Sequence, residues 1–259
     1  VAQLLILVTN DDGVRAVGLE NLRQALAPLG RVVCVAPDRE QSCASHALTL
    51  HHPLRMTTLG PDLHSVDGTP TDCVLLAVHH VLERRPDLVV SGINHGPNLG
   101  DDVNYSGTVA AAVEARRLGL PAIAASLGRE EGRDFVNAGR LVGQLVERLF
   151  ADRVNGSDLL LNVNIPGRPK SEIQGYAITR LGRRVYRDVI VAKTDPHGRP
   201  YYWIGGETPV WERGDGDETT DFAAIEAGRV SITPLRLDRT DHEGISRLIQ
   251  QELGPLVQP

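Results

Sequence analysis

The chain lacks several things, and each shortage removes a class of protein. Its three cysteines, Cys34, Cys43 and Cys73, are odd in number and have no metal-ligand spacing, so neither a disulfide framework nor a zinc site is expected. Cys34 lies inside an apolar run and reads as a small core residue. No apolar run reaches membrane-spanning length and the N-terminus shows no basic-then-apolar leader, so a soluble cytoplasmic protein is the expectation. Basic residues number 27 against 33 acidic ones, net −6, which argues against a nucleic-acid polymer or an anionic membrane as partner. Lys170 and Lys193 are the only lysines, a bias of coding rather than of chemistry. Phosphate-binding motifs are missing as well. Without GxxxxGK[ST] there is no P-loop, and without GxGxxG after the first strand there is no dinucleotide fingerprint. No Asp-x-Asp pair follows that strand, so an aspartyl-phosphate mechanism is unsupported. What remains for a phosphate is a metal plus backbone donors, with water as the nucleophile.

What is there is a 259-residue chain with 41% apolar content, enough for one large α/β domain or a domain with an appendage. Strand signals at Leu4–Thr9, Arg31–Ala36, Leu88–Ser91, Ala122–Ser126 and Leu159–Val163 are short, apolar and mostly β-branched. Helical signals lie between them. Leu19, Leu22, Leu26 and Leu29 recur at helical spacing, with Gly30 as the expected terminator. Thr69-Pro70 reads as an N-cap and first helical residue, followed by an apolar face of Val74, Leu75, Val78 and Leu82. Thr108–Leu118 is alanine-rich and stops at Gly119, and Phe135, Leu141, Leu145, Val146 and Leu149 mark another amphipathic helix. The alternation predicts a mostly parallel, doubly wound sheet.

After Pro166-Gly167 the pattern turns β-rich. Strands are expected at Tyr176–Leu181, Tyr186–Lys193, Tyr201–Ile204 and Val230–Leu235, with a turn at Asp195–Gly198, a charged loop at Gly214–Asp217 and a terminal helix at Ile245–Leu253. Five of the ten Phe, Trp and Tyr residues fall between Tyr176 and Trp203, as in a hairpin that serves as an oligomer arm or a pocket wall. The division is a core, 1–166, and a β-rich extension, 167–259.

The chemistry concentrates at strand ends. Leu4–Val8 has the continuous apolar character of a strand buried on both faces, and it delivers Thr9-Asn10-Asp11-Asp12-Gly13 at its carboxyl end. Adjacent carboxylates repel unless something positive sits between them, and a hard divalent cation is the economical solution. The same tetrapeptide also fits an ordinary capped turn. The second strand runs into the long polar loop Ala36–His46, and the third into Gly92–Asp102, which holds three glycines and a proline. Ser106-Gly107-Thr108 at a helix start offers hydroxyls and unpaired N–H groups to an anion, or is a plain N-cap. Asp101 and Asp102 read as second ligands or as a solvated loop, of which the solvated loop is the preferred expectation. His46 and His95 flank the same edge, where each is either a general acid, a phosphate partner or a bland loop residue.

Taken together, Ile6–Gly13 (ILVTNDDG), Val35–Leu50 (VAPDREQSCASHALTL), Gly68–Val74 (GTPTDCV) and Pro86–Glu114 (PDLVVSGINHGPNLGDDVNYSGTVAAAVE) strongly resemble the SurE family of metal-dependent nucleoside monophosphate phosphatases. The likeness extends through DPHGRPYYWIGG and TDFAAIEAGRVSITPL, nearly the whole chain in order. The resemblance implies a Rossmann-like core and a C-terminal hairpin arm exchanged within a homodimer or homotetramer. It implies that Asp11, Asp12, Ser42 and Asn94 hold one divalent ion, for which an oxygen-rich set suggests Mg²⁺ or Mn²⁺. It further implies that Asn98, Ser106, Gly107 and Thr108 line a phosphate pocket. The expected reaction is hydrolysis of nucleoside 5′-monophosphates, with 3′-monophosphates as further substrates and short polyphosphate left open. Asp11, Asn98 and Ser106 are the candidate catalytic groups, and Asp11 orients or deprotonates the attacking water. Two rivals predict different outcomes. A non-catalytic nucleotide-binding module would bind without releasing phosphate, and an assembly protein would depend on Tyr186–Ile204 but not on Asp11.

Overall fold

The computed structural model describes residues 3–128, 134–151, 158–185, 188–206, 210–211 and 217–251. The elements of the first part are β1 (Leu4–Thr9), α1 (Val17–Leu26), β2 (Gly30–Pro37), β3 (Met56–Gly60), β4 (Leu63–Val66), α2 (Pro70–Leu76), β5 (Leu88–His95), α3 (Gly107–Arg117), β6 (Ala122–Leu127), α4 (Phe135–Ala151) and β7 (Leu160–Ile165). They are followed by β8 (Tyr176–Ile178), β9 (Arg184–Val185), β10 (Asp188–Thr194), β11 (Pro200–Gly206), β12 (Val210–Trp211), α5 (Asp221–Glu226), β13 (Val230–Pro234) and α6 (His242–Gln251).

Alternation along β1 builds both halves of the core. Ile6 and Val8 pack with Leu19, Leu22 and Leu26 of α1 and with Leu141, Val142 and Val146 of α4. Leu5 and Leu7 point the other way, into Cys73 and Val74 of α2 and Val109, Ala111, Ala112 and Ala115 of α3. A strand covered on both faces can afford no polar residue until it ends, hence the apolar run. Each fully buried leucine contributes about 1.5–3 kcal/mol. Cys34 and Cys73 are buried within these layers, and burial pushes the Cys34 thiol up to about 12, so it stays protonated.

Among the described residues nine strands form one sheet, ordered β3-β4-β2-β1-β5-β6-β7-β13-β8. β1 pairs in parallel with β2 on one side (Val8 opposite Cys34) and β5 on the other (Val8 opposite Val90). The chain moves outward from β1 in one direction and then in the other. The gap between β1 and β5 is therefore the switch point where such sheets bind ligands. The expected mostly parallel α/β architecture is present, with antiparallel pairing at β3–β4 and β7–β13.

Local signals set most boundaries. Thr69 caps α2 by accepting from Asp72 N at 3.2 Å, while the Asp72 carboxylate accepts from Thr69 N at 2.9 Å, and Pro70 occupies the first turn. Thr69→Ala should lower stability by about 1 kcal/mol, read as a shift of the denaturation midpoint with unchanged slope. Gly30 differs from its expected role. Its φ is 171°, extended rather than left-handed, and it opens β2 where a Cβ would run into the Leu4 carbonyl. A short 3₁₀ turn at Ala27–Leu29 ends the helix instead.

The C-terminal part divides. β8 and β13 return to the main sheet, while β10 and β11 form a separate antiparallel hairpin. The Asp195 carboxylate closes its turn by accepting from His197 N at 2.8 Å and Arg199 N at 2.9 Å. Ile190, Tyr202, Trp203 and Ile204 of this hairpin are exposed, Ile204 almost fully at 96%. Tyr186 and most of the loop expected at Gly214–Asp217 lie outside the described residues. No helix among the described residues is long and apolar enough to cross a membrane.

Candidate active site

The first component is the turn after β1. Asn10 closes it with two bonds, its side-chain amide donating to Gly13 O at 2.9 Å and its side-chain oxygen accepting from Gly13 N at 3.2 Å. Gly13 sits at φ +100° with the Arg39 backbone 3.2 Å from where a Cβ would be, so only glycine fits. The turn presents Asp11, buried, and Asp12, half-buried, on consecutive residues.

The N-terminus of α3 faces this turn. Thr108, fully buried, donates a short hydrogen bond from its hydroxyl to Asp11 Oδ1, and its backbone N–H supports the same carboxylate. Gly107 has no room for a side chain, since a Cβ there would lie 2.9 Å from both Asp11 Cβ and Asp11 Oδ2. Ser106 caps the helix by accepting from Val109 N at 3.1 Å, which leaves its hydroxyl proton to donate elsewhere. The expected triplet thus divides its work: Thr108 is committed to Asp11, whereas the Ser106 hydroxyl and the first-turn N–H of Gly107 are the donors suited to an anion.

Two more segments close on this turn. Gln41 N donates to Asp11 O at 2.7 Å, which seats the Ser42 loop on the turn. Ser42 itself is exposed and donates to Glu40 Oε1 at 2.5 Å. From β5, His95 N donates to Asp12 Oδ2 at 3.1 Å, and the neighbouring Asn94 spends its amide nitrogen on Gly96 O at 2.8 Å. Asn94 is thus left with its side-chain oxygen, and Ser42 with its hydroxyl lone pairs, as the atoms each could offer a cation.

Asn98 stands in a buried amide lattice. Its N–H donates to Asn164 Oδ1 (2.8 Å), its carbonyl accepts from Asn162 (2.8 Å) and Asn164 (3.0 Å), and its side-chain nitrogen donates to Ser126 Oγ at 2.8 Å. One of its two side-chain N–H groups remains for a ligand. Asn162, Asn164 and Ser126 escape a motif-based reading. Their signal is two asparagines at i and i+2 on one face of an otherwise apolar strand, polar groups that a buried sheet tolerates only when they bond something. The Asp101–Asp102 loop is solvated only in part: Asp101 is exposed and accepts from Arg184 N at 3.1 Å, while Asp102 is half-buried and pairs with Arg184, tying this loop to β9.

The electrostatics of the turn suit a cation. Asp11 is pushed up to about 6, first by burial, with Thr108 opposing the rise and Asp12 adding to it. The penalty on a second negative charge is what a bound divalent ion removes. Two carboxylates, an amide oxygen and a hydroxyl are hard oxygen donors of the type preferred by Mg²⁺ and Mn²⁺. The residues present fit such an ion.

Fold and site together define a Rossmann-like α/β protein whose ligand-binding edge joins paired carboxylates to a helix N-terminus. The family described as Survival protein SurE matches residues 6–188, and the chain belongs to that family. It is 51% identical to 5′-nucleotidase SurE of Geobacter sulfurreducens over 250 residues, covering 96% of this chain and 94% of that one. With 5′-nucleotidase SurE of Coxiella burnetii the identity is 50% over 246 residues, covering 95% and 94%. The crystal structure of SurE protein from Aquifex aeolicus superposes with a TM-score of 0.82 at 42% identity, covering 95% of this chain and 98% of that one.

Proposed function

We propose that this protein is a divalent-metal-dependent 5′-nucleotidase that hydrolyses nucleoside 5′-monophosphates to nucleoside and phosphate. The observation that carries the reading is the meeting of Asp11 with the α3 N-terminus, and of Asp12 with the end of β5, at the switch point, in a chain half-identical to proteins named 5′-nucleotidase. Asp11, Asp12, Ser42 and Asn94 are assigned to one Mg²⁺ or Mn²⁺, which when bound offsets phosphoryl charge and acidifies a water.

The remaining steps belong to the chain's own residues. The Ser106 hydroxyl, the Gly107 N–H and the free side-chain N–H of Asn98 donate to the equatorial phosphoryl oxygens, where charge grows in the transition state. Their donors are fixed beforehand by the helix cap and the amide lattice, so little reorganisation accompanies the reaction. Thr108 locks Asp11 Oδ1, so Oδ2 is the oxygen that orients the attacking water. The reading extends to 3′-monophosphates and to short polyphosphate as secondary substrates, since the donors address only the phosphoryl group.

A cytoplasmic enzyme completes the proposal, with residues 1–166 as catalytic core and the hairpin of 167–259 as the arm of a homodimer or homotetramer. The exposed Tyr202, Trp203 and Ile204 support that arm, because apolar side chains presented together favour being covered. A phosphate-release panel of nucleotides and polyphosphate against several divalent ions tests the activity. Chelation should abolish turnover, and Mn²⁺ or Mg²⁺ should restore it. Activity that survives thorough chelation, or nucleotide binding without phosphate release, would overturn the reading.

A further inference from the structure

The loop that carries Ser42 is exposed, yet it holds an unusual backbone. Cys43 and Ser45 have φ of 58° and 51°, the left-handed region that non-glycine residues adopt uncommonly. Such geometry persists only where the surroundings over-determine it. Two backbone bonds, Gln41 N to Asp11 O and Ser45 N to Tyr105 O at 3.2 Å, and one from a side chain, Ser45 Oγ to Asn104 O at 2.7 Å, supply part of that constraint. One ionisable side chain completes it. His46 Nε2 lies 2.7 Å from Oε2 of Glu114, a buried carboxylate on α3, and Arg117 Nε approaches the same oxygen at 3.6 Å.

We propose that His46, seated on Glu114, is a positioning residue that fixes the Ser42 loop against the Asp11–Asp12 turn and thereby sets the affinity of the cation site. The inference rests on the metal-hydrolase reading above. His46 does not touch the reacting atoms. Glu114 lies seven residues beyond Gly107, about 10 Å along the helix from the anion-binding end, and the imidazole is turned toward it. A buried carboxylate is costly unless bonded, so Glu114 gains from the contact as much as the loop does. Both ends of the constraint then lie on α3: its N-terminus orients Asp11 through Thr108, and its third turn holds the loop that brings Ser42. One rigid helix aligns two members of the ligand set.

The expected signature is a split between affinity and turnover. His46→Ala should weaken Mn²⁺ binding about tenfold, in the range found when groups behind metal ligands are removed, measured by calorimetry or by the paramagnetic resonance of free Mn²⁺. Its kcat at saturating Mn²⁺ should stay within about twofold of wild type. Glu114→Gln should bind Mn²⁺ like wild type, because the Gln oxygen still accepts from an imidazole N–H, whereas Glu114→Ala should match His46→Ala. Wild-type Mn²⁺ affinity in His46→Ala refutes the proposal, as does a fall in kcat that excess Mn²⁺ does not recover. A wild-type protein that neither binds Mn²⁺ nor releases phosphate fails differently: it refutes the metal-hydrolase reading, and the positioning role with it.

Discussion

Asp11→Asn is expected to lower nucleotidase turnover by about a thousandfold, the rate equivalent of losing roughly 4 kcal/mol of metal-derived charge stabilisation. The substitution keeps the size of the side chain and the oxygen that accepts from Thr108, but removes one ligand charge. Stability should move the other way. In the apoprotein the carboxylate is penalised by burial and by Asp12, so a neutral amide relieves both, and the thermal midpoint should equal or exceed that of wild type. Loss of activity with retained or raised stability separates a ligand from a structural cap. Wild-type turnover in the mutant with the cation still bound would refute the role assigned to Asp11.

The second large effect concerns a residue outside the catalytic turn. Asp221, fully buried at the start of α5, accepts from Gly100 N at 2.7 Å, Gly182 N at 2.9 Å and Phe222 N at 3.0 Å. Burial raises its pKa and these bonds oppose the rise, so the bonds make the buried carboxylate tolerable. Asp221→Ala leaves three N–H groups without their acceptor, and at about 1–3 kcal/mol for each orphaned group the loss should reach about 3 kcal/mol or more. For a chain of this size that is a fall of roughly 6–12 °C in thermal midpoint. Activity should fall as well, because Gly100 ends the loop that leads from β5, the strand of Asn94, and carries Asn98. A mutant with wild-type stability would show that water replaces the carboxylate at all three donors.

Much of this architecture is legible without coordinates because it is written in local patterns. β1, β2, β5, β6 and β7 fall within a few residues of their apolar runs, with β5 continuing four residues past its expected end and β7 two. Those extensions carry polar residues, Asn94 and His95 in β5 and Asn164 in β7, so the apolar run stops before the strand does. β3 and β4 are missed for a related reason. Met56–Gly60 is half-exposed on the sheet edge and has no apolar alternation to announce it. α5 is six residues long, too short for a helical period.

The site divides along the same line. The sequence by itself determines the chemical inventory: two carboxylates at the end of a doubly buried strand, polar loops at two more strand ends, and a capped helix start. Those features arise from contacts within a few residues, and their residue types carry the signal. Only the tertiary structure decides what each group is bonded to, because the deciding bonds span 97 residues from Asp11 to Thr108, 83 from Asp12 to His95, and 68 from His46 to Glu114. It assigns Thr108 to the carboxylate rather than to an anion, ties Asp101 and Asp102 to Arg184, and places Asn98 in an asparagine lattice. A hydrogen bond depends on distance and direction, and across such separations both are fixed by how the sheet and helices pack rather than by neighbours along the chain.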